Sequence, residues 1–181
     1  YTSIFGSELA LAFIPFEGES YGNCWFIAAE VKSQSFARQE LMGIIESYAS
    51  RSGQSVSSFE RTFVVDREKS VKIYRFPKSG LHETLFGSLF AVATDQYFTF
   101  IDNYIVFGSS VEALSRLILA NIHNKQLVAE QSFLEFSQSL SSESNFTAYI
   151  NPAKAEMLYG HKLDPSAAAR IISRIETVGK V

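Results

Sequence analysis

The sequence holds a single cysteine, Cys24, which excludes an internal disulfide and leaves the fold to stand on its apolar core. The CxxC and His/Cys spacings of zinc sites are missing as well, and there is no EF-hand pattern, so no cofactor or metal is expected. Runs of one charge are absent. Sixteen basic and nineteen acidic residues give a net charge of −3, with nowhere five like charges in succession, and this removes the electrostatic footprint that nucleic-acid binding requires. Apolar runs last only a few residues, far below the roughly eighteen needed to span a bilayer. No basic-then-apolar leader precedes Tyr1, and a start at Tyr rather than Met leads us to expect a piece of a longer polypeptide.

What is plentiful is aromatic: sixteen Phe and eight Tyr, residues that favour strands and thick sheet-on-helix packing. At 181 residues the chain is long enough for one substantial domain or two tightly joined small ones. The expected class is α+β, with antiparallel sheet made of hairpins and a meander packed against helices.

Leu9 to Phe16 reads as a strand, the GESYGN segment as a turn, and Cys24 to Val31 as a second strand. Ser33 and Ser35 then supply helix-capping chemistry, and Ala37, Leu41, Ile44, Ile45 and Tyr48 recur at helical spacing, predicting a helix over 36–50. A second hairpin is expected from Arg61–Val65 and Ser70–Phe76, followed by a loop over 77–80. A three-stranded meander is read from Leu89–Thr94, Tyr97–Ile101 and Tyr104–Phe107, joined by Asp95-Gln96 and Asp102-Asn103 turns. Ser109 and Glu112 fit a capping box ahead of a helix over Val111–Ala120, with Leu114, Leu117 and Ile118 inward. A helix over 129–140, a strand over Asn145–Ile150 and a last helix from Pro165 to about Thr177 complete the outline. Hairpin, Ser-capped helix and return strands recur loosely, which suggests two related ββα-type units, 1–78 and 79–181.

Two catalytic patterns overlap in EGESYGNCWFIAAEV. Gly18-Glu19-Ser20-Tyr21-Gly22 reads G-x-S-x-G, but a nucleophile elbow is followed by a helix, whereas Trp25, Ile27, Ala29 and Val31 alternate as a strand. Gly22-Asn23-Cys24-Trp25 resembles the nucleophile segment of papain-like and calpain-like proteases, in which the cysteine opens a helix whose dipole lowers the thiol pKa. His161 lies far enough downstream to be its partner. Yet Gly18 stands where that family has its oxyanion glutamine, and no asparagine follows His161. A thiol hydrolase using Cys24 and His161 is therefore the alternative, and a buried structural cysteine on a strand the leading reading.

The other chemistry-bearing side chains read as structural. His82 and His123 stand alone, Asp66, Glu68, Asp95 and Asp102 sit in turns, Glu17 and Glu30 flank the first hairpin facing solvent, and Asn145-Phe146-Thr147 is a glycosylation sequon. Tyr97, Phe98, Phe100 and Tyr104 are the ligand-binding candidates: on an uncovered sheet face they would make a patch suited to another domain, a sugar or a lipid.

The succession Asp102-Asn103-Tyr104-Ile105-Val106-Phe107-Gly108-Ser109-Ser110-Val111-Glu112-Ala113-Leu114, then Gln131-Ser132-Phe133 and Phe146-Thr147-Ala148-Tyr149-Ile150-Asn151, resembles a family of bacterial (Bacteroidetes-like) envelope proteins that carry a domain of unknown function. Trp25 to Lys32 and the helix after Ser35 fit the same pattern. The resemblance implies an extracytoplasmic setting behind an N-terminal anchor, in the periplasm or cell envelope, and brings no catalytic residues with it. The expected function is then non-catalytic binding or assembly within a larger exported protein, with other domains of the same polypeptide or envelope proteins as partners.

Overall fold

The structure, a computed structural model, describes residues 4–16, 18, 20–77, 81–92, 96–125 and 127–138. The chain divides into two compact units, one of Tyr1–Ile14 with Gly22–Gln126 and the other of Pro15–Tyr21 with Leu127–Val181.

The first unit is built on one sheet. Its strands are β1 (Phe5–Phe13), β2 (Trp25–Val31), β3 (Glu60–Val64), β4 (Ser70–Arg75), β5 (Tyr97–Ile101) and β6 (Tyr104–Gly108), and its longer helices are α1 (Gln34–Ser52) and α3 (Val111–Ile122), with the short α2 (Leu81–Phe86) between them in sequence. The strand order is β1-β2-β6-β5-β4-β3, antiparallel at each junction, so the fold is α+β.

Alternation places Phe98, Phe100, Ile105 and Phe107 on one face and Phe26, Thr99 and Val106 on the other, and all seven are buried. Both faces are covered. α1 lies over the first: it buries Ala37, Leu41, Ile45 and Ala49, one residue in every four, and its Arg38 sits above the Phe100 and Tyr74 rings. α3 lies over the second, where Leu114 approaches Gly108 so closely that a Cβ there would stand 3.1 Å from the leucine side chain. The buried Thr99 hydroxyl meets its hydrogen-bonding need by donating to the Lys72 carbonyl at 2.9 Å.

Both helices begin on a serine in extended conformation. Ser33 accepts from the Phe36 amide, and Ser110 accepts from the Ala113 amide at 3.0 Å. The second cap therefore falls one residue after the Ser109 expected from the sequence, because Ser110 has the extended φ and ψ of −145° and 162° that aim its oxygen at the orphan amides. Gly53 closes α1 in the left-handed region at φ 66°.

The sheet contains a meander, the consecutive antiparallel strands β3-β4-β5-β6, but the strand expected just before β5 is corrected. Leu89–Val92 is not that strand: Ser88–Val92 coils into a 3-10 turn after Gly87, whose φ of 92° suits glycine. The place beside β5 belongs to β4, and the apolar run buries Phe90 against Phe86 instead, with ring centroids 5.7 Å apart. α2 occupies residues adjoining the expected 77–80 loop and was not anticipated. The first strand starts earlier than Leu9 because residues beyond a bulge rejoin β2 at Phe5.

In the second unit, Leu127–Ala129 forms a 3-10 turn and α4 (Gln131–Gln138) a helix in which Gln131 Nε2 donates to Glu135 Oε1 at 2.9 Å. The strand expected over 145–150, the last helix, His161 and the sequon lie outside the described residues.

Candidate functional site

The first unit contains an apolar cavity of about 330 Å³ between α1 and the sheet. α1 supplies one wall through Leu41, Ile44, Tyr48 and Arg51, of which the last three follow the i, i+4, i+7 stripe beside the fully buried one. Phe107 of β6 and Phe76, just beyond β4, form the floor. Ile4, Phe5, Pro77 and Leu85 close the remaining sides. Phe5 is held there by edge-on packing against Phe86 of α2, centroids 5.2 Å apart. The unanticipated α2 thus helps to make the cavity.

Polar chemistry in this lining is confined to the Tyr48 hydroxyl and the Arg51 guanidinium, both exposed and so marking the side open to solvent. No lining residue is a carboxylate, histidine, cysteine or serine that would act as nucleophile or proton carrier. Such an arrangement can hold an apolar group and orient a polar end.

Cys24 does not line this cavity. Cys24 is wholly buried at the end of the 3-10 turn Tyr21–Cys24, and the segment after it is β2, so no α-helix N-terminus stabilises a thiolate. Ser20 likewise precedes that turn and not an α-helix.

Among the described residues no group of three or more His, Cys, Asp or Glu is placed to hold a metal. Asp66 is occupied locally: its Oδ1 accepts from the Glu68 and Lys69 amides at 2.8 and 2.9 Å, and these bonds hold its carboxyl below the usual range. Asp102 serves the β5–β6 turn with a φ of 49°, and His123 ends α3.

The four aromatic candidates separate by face. Phe98 and Phe100 are buried beneath α1, where the Arg38 guanidinium lies 4.7 Å from the Phe100 centroid and its Nη1 donates to the Tyr74 hydroxyl at 2.7 Å. Tyr97 and Tyr104 are half-buried on the α3 face.

No family model, curated protein or solved structure matches the chain.

A second polar arrangement, missed in the sequence, lies on that α3 face. Glu30 of β2 does not simply face solvent: its Oε2 accepts from the Ser7 amide at 2.9 Å and the Glu8 amide at 3.3 Å, within the bulge that places three β1 residues opposite one of β2. Glu30 is paired with Tyr104 across β2–β6, and the Tyr104 hydroxyl donates to Glu8. That bond first, then burial and the two nearby carboxylates, push the Tyr104 phenol up to about 12.

The fold thus favours the neutral phenol. Its stabilisation is complete below the ordinary value of 10.0 and is lost as the pH rises through about 12. Urea midpoints measured across that interval should fall more steeply for the native chain than for Tyr104→Phe. Parallel slopes would show that the hydroxyl makes no such bond in solution.

Proposed function

We propose that this chain is a non-catalytic binding module, and that the cavity under α1 is where it binds. The observation that carries this reading is a concave apolar site with polar groups on its open side and no acid, base or nucleophile in its lining. Its placement within a larger exported, membrane-anchored bacterial protein is supported by the sequence resemblance alone, and other domains of that polypeptide or envelope proteins are its proposed partners. No helix among the described residues is long and apolar enough to cross a membrane.

Thermal unfolding against divalent metals, peptidoglycan fragments, oligosaccharides and lipids tests the reading. A ligand of the cavity at a hundredfold excess over its Kd stabilises by about 2.7 kcal/mol, or about 5–10 °C in Tm for a chain of this size. The shift should appear with lipid-like compounds and vanish in Ile44→Trp, which fills the cavity. A shift confined to metals or sugars, indifferent to Ile44, would refute it.

The thiol-hydrolase alternative makes a different demand. Iodoacetamide should label Cys24 slowly in the folded chain, at the rate set by opening of the structure, because the thiol is wholly buried. Fast labelling near neutral pH that is lost in His161→Ala would establish the hydrolase in place of the binding module.

A further inference from the structure

We infer that the cavity under α1 takes a single-chain acyl carboxylate, with the hydrocarbon tail against Leu41, Ile44, Phe76 and Phe107 and the carboxylate at Arg51. The inference rests on the binding-module reading and adds the class of ligand. At about 330 Å³ the space is at the small end of ligand pockets, which run from roughly 300 to 1,000 Å³, so it suits one narrow chain and not a diacyl lipid or a fused-ring compound.

The charge at its open side selects the headgroup. Arg51 makes no ion pair among the described residues, and its one hydrogen bond runs from Nε to the Ser47 carbonyl of its own helix at 3.2 Å. That leaves the two terminal nitrogens, the fork that meets a carboxylate in parallel bonds, available to a ligand.

The helix end does not need those nitrogens. The amides of Gly53 and Gln54 both donate to the Ala49 carbonyl, and the Ser52 hydroxyl donates to the Tyr48 carbonyl at 2.9 Å. Glu40 and Glu46 line a polar groove on the outer side of α1 that also reaches Arg51, but neither pairs with it. Beside Arg51, Tyr48 packs edge-on against Phe59, centroids 5.8 Å apart, which fixes the ring that carries the second polar group.

Calorimetric titration of the 181-residue chain with the series hexanoate to tetradecanoate, below micelle-forming concentrations, tests the inference, with the matching primary alcohols as uncharged comparators. Affinity should rise about fourfold per added methylene until the cavity is full and then level off. Arg51→Gln should weaken carboxylate binding about tenfold while leaving the alcohols unchanged. Ile44→Trp should abolish both, its melting curve showing that it still folds.

Equal affinity of alcohols and carboxylates in the native chain would overturn the carboxylate inference and leave the binding module standing. Carboxylate binding that weakens in Arg51→Gln but does not depend on chain length would also overturn it, since the tail would then lie outside the cavity. Failure of every chain length and headgroup would overturn the inference and the binding-module reading together.

Discussion

Phe98→Ala should lower the stability of the chain by about 3–5 kcal/mol, the largest loss expected from any single substitution considered for this fold. Phe98 is wholly buried, and its ring is met by four others: Tyr74 stacked at 5.2 Å, Phe76 and Phe107 at 6.0 Å, and Phe100 at 6.1 Å. Tyr74 and Phe107 come from the neighbouring strands β4 and β6, Phe100 from β5 itself and Phe76 from just beyond β4, and α1 roofs this face, so truncation leaves a void that cannot collapse without moving the helix. Denaturant unfolding monitored by circular dichroism checks this, with Phe36→Ala as the comparison, because Phe36 on the same helix is 45% exposed. Phe36→Ala should cost no more than about 0.5 kcal/mol. If the two variants unfold alike, α1 does not seal this face, and the cavity beneath it would not exist in solution.

The parts of the fold that were legible are those whose determinants lie within a few residues of each other. Alternation gave β2, β5 and β6. The Asp102-Asn103 turn was readable because Asp tolerates the left-handed backbone observed there, and α1 because Ser33 precedes a run with helical spacing. Leu89–Val92 misled because an apolar run of that length satisfies a strand, a helix or a tight turn equally. What decided it was the place beside β5, which β4 already held, and that is a long-range fact. α2 was missed because Leu81–Phe86 is only six residues long, too short for helical periodicity to emerge.

The candidate site divides the same way. Ile44 and Tyr48 were visible as an apolar helical stripe, and Arg51 three residues further on extends it. The opposite wall could not be read, since Phe76, Pro77, Leu85 and Ile4 come from separate segments whose meeting depends on the strand order. Glu30 shows how a correct local inference can fail. Period-two alternation rightly put it on the face opposite Ala29 and Val31, and a carboxylate there reads as solvated. The sequence signal that argued otherwise was Gly6-Ser7-Glu8, a polar interruption with a glycine just before the apolar run of β1.

That interruption leads to the second large expected effect. Gly6→Ala and Glu30→Ala should each cost about 1.5–2 kcal/mol, while the double variant should cost little more than either alone, a coupling of at least about 1 kcal/mol. A Cβ on Gly6 would stand 2.6 Å from the Glu30 carboxyl carbon and 2.9 Å from its Cγ, so the side chain must leave and the Ser7 and Glu8 amides lose their charged acceptor. Once Glu30 is gone, the three atoms nearest to the methyl are gone with it. Gly22→Ala serves as the control, because a Cβ there meets nothing within 4 Å. Additive losses for Gly6 and Glu30 would mean that the carboxylate does not hold the bulge. The coupling also bears on the edge of the sheet: among the described residues β1 is the outermost strand next to β2, and a bulge fixed by a carboxylate bends its backbone away from the flat geometry that invites another strand to pair. Glu30→Ala should therefore make the chain more prone to self-association at high concentration, measurable by light scattering, in step with its loss of stability.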